Sequence, residues 1–197
     1  MSEKKDKDLI EKTIASEVSY NGSFLKVHRD KVKTPSGKIT QREFVKHPGA
    51  SLIIPQLPNG KFLLIRQFRY SVGKIFLEFP AGKIDRGEVP EQTAHRELKE
   101  EVGYISQDLI YVTSIHPVIG YSDEVIHIYL AKNLTFVGDS PDPDEIVIPI
   151  EMTLNELILA VHDGNVTDVK TQIAIFWIDK IFNQNWTTKD RPVQSLG

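Results

Sequence analysis

The order of apolar and polar residues divides the chain into an early part built from strands and a longer part that mixes strands with helices. Between Thr13 and Lys46, apolar and polar residues alternate with the period of a half-exposed strand. Two turn signals interrupt the alternation, at Asn21-Gly22 and at Pro35-Ser36-Gly37. The pattern predicts a three-stranded antiparallel sheet with too few apolar residues to bury a core of its own.

The rest of the chain carries short apolar runs bounded by turn residues, and later two longer runs with helical spacing. Strands are predicted at 50–55, 61–67, 76–80, 108–115, 124–131 and 146–152. Thr153 is a good N-cap for a helix over 154–163, and a last helix fits 168–182. Because strands and helices mix without strict alternation, the expected fold class is α+β, an α/β/α sandwich with a mixed sheet.

A further helix is predicted between Pro90, which suits a first helical turn, and Gly103, which suits the position just past a helix end. At about 3.6 residues per turn, Glu101 lies in line with the apolar residue Ala94, and Glu97 flanks the same face. A bare carboxylate is costly to bury, and a divalent cation that prefers carboxylate oxygens would compensate it. The helix therefore predicts a metal site, and the alternative is an amphipathic helix with solvated charges.

Composition narrows the classes of protein to consider. The 197 residues suffice for one good-sized domain with a small extra element, and the formal net charge of -3 indicates no surface for nucleic acid. No apolar run is long enough to span a bilayer, and the N-terminus lacks the apolar core of a signal peptide. The absence of cysteine excludes disulfides, thiol catalysis and cysteine-bound zinc. The expectation is a cytoplasmic enzyme with neither a nucleic-acid nor a membrane partner.

The segment from Gly82 to Tyr104, GKIDRGEVPEQTAHRELKEEVGY, resembles the signature of the Nudix hydrolases. That signature is a glycine, five residues, a glutamate, seven residues and then R-E-U-x-E-E-x-G-U, where U is apolar or aromatic. Every fixed position is filled, and only Tyr104 is a slightly unusual choice. The resemblance implies the Nudix sandwich fold and hydrolysis of a P–O–P bond with Mg²⁺, or alternatively Mn²⁺.

The resemblance also implies roles for single residues of the signature. The implied metal ligands are the backbone carbonyl of Ala81 and the carboxylates of Glu97, Glu100 and Glu101. Gly82 and Glu88 are supporting residues, and Glu88 acts through Arg96. Arg96 and Glu100 are also counted as catalytic, and their spacing allows an i,i+4 contact.

Features outside the signature resemble the ADP-ribose pyrophosphatases and related nucleoside diphosphate sugar hydrolases. They are the N-terminal three-stranded element, the lead-in RQFRYSVGKIFLEFPAGKID, the stretch HPVIGYSDEVIHIYLA and the acidic loop PDPDEIV. Pro117 lies slightly nearer to the signature than the subgroup's usual proline. The implied organisation is a dimerisation element over 1–46, a catalytic domain over 47–183 and a loose tail over 184–197, assembled as a homodimer.

The substrate residues implied by this subgroup lie on strands and loops around the signature. Arg69 matches an arginine near the substrate phosphates; the alternative is a surface arginine at a strand end, and Arg66 is its local competitor. Glu78 is expected at the adenosine or ribose side, with an edge-strand salt bridge as the alternative. Ser122 and Glu124 border the terminal ribose, although Glu124 could equally cap its loop.

The residue that activates water is expected in the acidic loop. Glu145 is the preferred base because it stands just before the strand that starts at Ile146, and Asp142, Asp144 and the signature glutamates stay as alternatives. His116 and His127 receive no role.

The implied reaction is hydrolysis of ADP-ribose or a related nucleoside diphosphate sugar to a nucleoside monophosphate and a sugar phosphate. GDP- or UDP-sugars and dinucleoside polyphosphates are alternative substrates, because the signature holds only the pyrophosphate that all of them share. A non-catalytic Nudix nucleotide-binding or sensor module is the alternative of another class. A sensor with a dead site should have lost signature acids, and none is missing.

Overall fold

The chain forms two compact units in the computed structural model, which describes residues 6–138, 146–184 and 186–188. Unit 1 spans Met1–His47 and Val118–Glu124, and unit 2 spans Pro48–Pro117 and Val125–Gly197. Within the described residues, no helix is long and apolar enough to cross a membrane.

Unit 1 is the predicted three-stranded antiparallel sheet. A short 3₁₀ helix, Lys7–Leu9, precedes strands in the order β1-β2-β3. The strands are β1 Lys12–Asn21, β2 Lys26–Lys33 and β3 Ile39–Lys46. Both predicted turns are present, and in the second the Gly37 N–H donates to the Thr34 carbonyl at 2.9 Å. The segment 118–124 joins this unit because the Val45 N–H donates to the Tyr121 carbonyl at 2.8 Å.

The described residues of unit 2 form two sheets and three helices. The elements are β4 Ala50–Pro55, β5 Phe62–Arg69, β6 Lys74–Glu78, β7 Ala81–Lys83, α1 Pro90–Val102, β8 Tyr104–Ile115, β9 Ile126–Phe136, β10 Val147–Met152, α2 Leu154–His162 and α3 Val169–Asn183. The first sheet has the order β7-β4-β9-β8 and is mixed, because β4 and β9 run parallel. The second is antiparallel with the order β10-β5-β6. The predicted α+β class with a mixed sheet is confirmed.

The central strand β4 is buried on both faces, which explains why ASLIIP shows no alternation. Leu52 and Ile54 belong to the core that contains the apolar residues of α2 and α3. Ile53 points the other way, into the core that contains Ala94 and Leu98 of α1. Helix α1 therefore covers one face of the mixed sheet, and α2 and α3 cover the other.

Several strand boundaries differ from the sequence prediction. The strand predicted at 76–80 is β6, which ends at Glu78, and β7 begins after Phe79 and Pro80, where no strand was predicted. β8 begins immediately after Gly103, and β9 continues five residues beyond the predicted end at 131. The two extensions pair with each other, with Tyr104 opposite Phe136 and Ile105 opposite Thr135, and a pairing over this sequence distance could not be derived from either segment alone.

Candidate active site

Helix α1 places two carboxylates on its buried side, as its sequence predicts. The helix begins at Pro90 and ends at Val102, where Gly103 adopts a left-handed conformation with φ 76° and its N–H donates to helix carbonyls. Glu97 is 7% exposed and Glu101 is 4% exposed, although both are charged residues. Carboxylates this deeply buried require compensating partners.

Strand β7 supplies the surface against which these carboxylates lie. The Ala81 N–H donates to Glu101 Oε2 at 2.9 Å. At Gly82 a Cβ atom would lie only 1.7 Å from Glu97 Oε1, so the Glu97 carboxylate occupies the space that any side chain at position 82 would need. β7 is held in place by antiparallel pairing with β4, in which Gly82 lies opposite Ser51.

Arg96 links three of the signature glutamates. Its Nε donates to Glu88 Oε1 at 2.9 Å, and its Nη1 donates to Glu97 Oε1 at 2.6 Å and to Glu100 Oε2 at 2.9 Å. The predicted i,i+4 contact with Glu100 is therefore present. Hydrogen bonds from Arg96 and from the Thr93 hydroxyl lower the pKa of Glu88 to about 2. Arg96 thus keeps Glu88 ionised and fixes the direction of the Glu97 carboxylate.

The donor set of the α1 carboxylates suits a hard divalent cation. Among the described residues, no three His, Asp or Glu side chains are gathered so as to hold a metal by themselves. Mg²⁺ commonly takes one or two carboxylates and completes its shell with water and substrate phosphates. Two buried carboxylates, from Glu97 and Glu101, meet that requirement and leave positions for phosphate oxygens.

A buried ion-pair cluster in the same unit involves Arg69 and Glu78. Arg69 Nε and Nη2 donate to the two oxygens of Glu78, both at 2.9 Å, and Glu78 is 1% exposed. Lys170, on α3, also donates to Glu78 and lies 3.0 Å from Asp168. The salt bridge that was given as the alternative role of Glu78 is therefore formed. Arg66, the local competitor of Arg69, is exposed.

Electrostatics connects this cluster with the α1 carboxylates. Burial alone would raise the pKa of Glu78, but the hydrogen bonds from Arg69 and the charge of Lys170 hold it below its ordinary value. The pKa of Arg69 is raised by its hydrogen bond to Glu78, and the charge of Glu101 adds to the effect. Sequence reasoning missed Lys170, because only the fold brings α3 to the end of β6.

Two domain families match the chain in consecutive segments. A NUDIX domain matches residues 45–170, and a nucleoside diphosphate sugar hydrolase N-terminal domain matches residues 11–45. The chain belongs to the Nudix family. The resemblance drawn from the signature and from the N-terminal strands is thereby confirmed.

Relatives and a solved structure agree with the Nudix assignment. An ADP-ribose pyrophosphatase of Bacillus subtilis (strain 168) is 38% identical over 174 residues, which covers 87% of this chain and 94% of the relative. A methanol dehydrogenase activator of Bacillus methanolicus is 38% identical over 170 residues, covering 85% and 92%. The crystal structure of an ADP compounds hydrolase superposes with a TM-score of 0.80 at 21% identity, covering 89% and 95%, and shows the same fold.

The remaining predicted residues lie outside the Nudix helix. Ser122 and Glu124 belong to unit 1, where the Ser122 hydroxyl donates to the Val45 carbonyl at 3.2 Å and the Glu124 N–H donates to Ser122 Oγ at 3.2 Å. The hydroxyl that makes these local bonds is that of Ser122, whereas Glu124 Oε1 lies 3.8 Å from His47 Nδ1. The base candidates Asp142, Asp144 and Glu145 lie outside the described residues.

A second polar group, around His127, lies in the mixed sheet. His127, on β9, is buried, and its Nδ1 lies 2.8 Å from Ser114 Oγ, which lies 2.7 Å from the Tyr111 hydroxyl. Burial, together with the charge of His116, lowers the pKa of His127. His127 is therefore a buried, hydrogen-bonded residue whose neutral form is favoured by burial.

Proposed function

We propose that this Nudix protein hydrolyses the pyrophosphate bond of ADP-ribose or a related nucleoside diphosphate sugar. The products are a nucleoside monophosphate and a sugar phosphate. The observation that carries the proposal is the pair of buried carboxylates, Glu97 and Glu101, packed against β7 within a complete signature. The substrate class is supported by the 38% identity to a relative named ADP-ribose pyrophosphatase over almost its whole length.

In this proposal Mg²⁺, with Mn²⁺ as the alternative, would be held by the Ala81 carbonyl and by the carboxylates of Glu97, Glu100 and Glu101. Such a cation neutralises charge on a pyrophosphate and lowers the pKa of a bound water. Arg96 orients Glu97 and Glu100 by donating to both carboxylates, and Glu88 holds Arg96 in return.

Arg69 is the proposed contact to the substrate phosphates. Its guanidinium is anchored on one edge by Glu78 and keeps part of its surface exposed, so it has donors left for an anion. Glu78 then contributes to substrate binding indirectly, because it positions Arg69. Ser122 and Glu124 remain proposed contacts to the terminal ribose.

Glu145 is the proposed base that takes a proton from the attacking water. We expect Glu145→Gln to lower kcat by roughly 100-fold while KM changes little, because a general base acts in the transition state. Asp142→Asn and Asp144→Asn are the matched controls. An unchanged kcat in Glu145→Gln moves the role to one of those residues or to a signature glutamate.

A substrate panel tests the proposed function. ADP-ribose, a GDP-sugar, a UDP-sugar and a dinucleoside polyphosphate are each incubated with the protein and Mg²⁺, and the products are identified by chromatography. We expect ADP-ribose to be consumed fastest and to yield AMP and ribose 5-phosphate. Faster turnover of another member corrects the substrate, and turnover of none contradicts the enzymatic proposal.

A second candidate function, acting on a partner enzyme, is favoured by one comparison. The relative named methanol dehydrogenase activator is as similar to this chain as the pyrophosphatase is. Acting on a partner enzyme does not exclude hydrolysis, so this candidate has its own test: added to a purified methanol dehydrogenase, the protein should raise its rate, and an unchanged rate contradicts the candidate.

We also propose that a second copy of the chain covers the N-terminal sheet. β1 is an edge strand, is exposed along its whole length and carries large apolar side chains, with Ile14 51%, Val18 53% and Tyr20 58% exposed. Exposed apolar patches on edge strands mark association surfaces. Sedimentation should give a dimer for the wild type and a monomer for Val18→Glu, and a wild-type monomer would refute the proposal.

A further inference from the structure

A cleft with no assigned role opens at the end of the mixed sheet that is remote from the α1 carboxylates. Ser51 lies opposite Gly82, so the first residues of β4 are the ones near the α1 carboxylates. Gln56, which lines the cleft, is five residues further along the chain. At about 3.3 Å per residue, Gln56 lies roughly 16 Å along the strand from Ser51. The cleft has a volume of 560 Å³.

The pairing of the strands explains why the cleft exists. β4 pairs with β9 only as far as Pro55 opposite Ala131, and the Gln56 N–H donates the last bond to the Ala131 carbonyl. β9 continues to Phe136 beside β8, so its last residues extend past the end of β4. The turn after Gln56 closes the other wall, held by the Gly60 N–H donating to the Leu57 carbonyl at 2.9 Å.

One lining residue of the cleft, Asn133, has a backbone conformation that side chains usually avoid. Asn133 has φ 51°, and it is the only non-glycine residue with positive φ in the described parts of the chain. Its carboxamide donates to Asp108 Oδ2, and the neighbouring Lys132 carbonyl accepts from Ser106 Oγ at 2.7 Å. Strained backbone held by surrounding contacts is common at ligand sites.

The chemistry of the cleft walls favours one class of ligand. The polar lining residues are Gln56, Gln107, Asn133, Thr135 and Lys132, beside the apolar Leu57, Pro58 and Leu134. No carboxylate or aromatic ring stands among the described lining residues. Carboxamides both donate to and accept from hydroxyl groups, and a single ammonium matches a single anionic group. A nucleobase is usually held by stacking on aromatic rings, and no ring stands among the described lining residues.

We propose that this cleft binds a small sugar phosphate at a site separate from the Nudix helix. The carboxamides hold the sugar hydroxyls, and Lys132, whose ammonium lies 5.3 Å from the centre of the Phe182 ring, holds the phosphate. The volume lies within the range of small-molecule sites, roughly 300–1,000 Å³. This site does not depend on the proposed hydrolysis.

Calorimetry with ribose 5-phosphate tests the proposal. The titration uses the wild type and Glu101→Gln, with a chelator present, so that the α1 carboxylates cannot hold phosphate through a metal. We expect saturable binding of one equivalent to both proteins, with ribose and inorganic phosphate binding more weakly. Lys132→Gln should weaken binding about tenfold, because a charge-assisted hydrogen bond is lost.

Two further variants sharpen the calorimetry. Asn133→Gly keeps the left-handed backbone while removing the carboxamide, and it should also weaken binding. Lys31→Gln makes the same charge change on an exposed position of β2 and should leave binding unchanged. The proposal is overturned if ribose 5-phosphate does not saturate the protein, if Lys132→Gln binds as the wild type does, or if inorganic phosphate alone binds equally well.

Discussion

Gly82 matters in the Nudix site because it has no side chain. The Glu97 carboxylate lies in the volume that a Cβ at position 82 would enter. The sequence marks this glycine only as a fixed position of the signature, and the packing of β7 under α1 supplies the physical reason for it. Gly82 therefore contributes to the site by leaving room for a carboxylate.

Gly82→Ala should consequently impair hydrolysis through Glu97. The added methyl group displaces the carboxylate, and we expect kcat/KM to fall by roughly 100-fold, since small misplacements of catalytic groups have effects of that size. Steady-state kinetics measures the loss. In the Glu97→Gln background the same change should have little further effect, because both act on one group. Additive losses would show that Gly82 acts in another way.

Glu78 makes the stability of the fold depend on pH. A carboxyl whose pKa is lower in the folded than in the unfolded chain stabilises the fold above its unfolded pKa, about 4.3. This contribution is lost as the pH falls through the lower, folded-state pKa. Glu78 is therefore expected to stabilise the protein at neutral pH and not in strong acid.

The corresponding variant is Glu78→Gln, which leaves Arg69 and Lys170 without their anion. We expect its free energy of unfolding at pH 7 to fall by on the order of 2 kcal/mol, and the difference from the wild type to shrink below about pH 4. Urea unfolding at both pH values measures this. Glu43→Gln, which breaks the exposed pair with Arg29, is the control and should cost much less than Glu78→Gln, because solvent screens an exposed ion pair. A pH-independent loss would contradict the assignment.

At the scale of elements, the boundaries that depend on neighbouring residues were predicted correctly. The boundaries that depend on long-range strand pairing were not. Pro90 and Gly103 are adjacent in sequence to the ends that they define, so α1 was predicted residue for residue. β7 is only three residues long and exists through pairing with β4, which no local pattern reveals.

The N-cap of α2 offers a test at this scale. The Thr153 Oγ1 accepts from the Glu156 N–H at 3.3 Å, and Glu156 Oε2 accepts from the Thr153 N–H at 2.7 Å. Thr153→Ala should lower the free energy of unfolding by about 1 kcal/mol, because a helix N–H loses its acceptor. Denaturant unfolding measures this, with Thr153→Ser as the control that keeps the hydroxyl. Equal stability of the two variants would contradict the capping role.

At the scale of the whole molecule, the fold and the signature were predictable, whereas the surroundings of the site were only partly so. The buried position of Glu101 follows from helical geometry, which needs only nearby residues. The cluster around Glu78 could not be derived, because Lys170 stands 92 positions later in the chain and reaches Glu78 only through the packing of α3. The acidic loop with Glu145 lies outside the described residues, so its role rests on the resemblance alone.

The central claim is that the buried carboxylates of α1 carry pyrophosphate hydrolysis, and the turnover of ADP-ribose by Glu101→Gln tests it most directly. The variant keeps the shape of the side chain and the acceptor for the Ala81 N–H, so circular dichroism should report an unchanged fold. We predict that kcat with saturating Mg²⁺ falls by roughly 100-fold or more, because a carboxylate ligand is lost. Wild-type turnover by the folded variant would contradict the account.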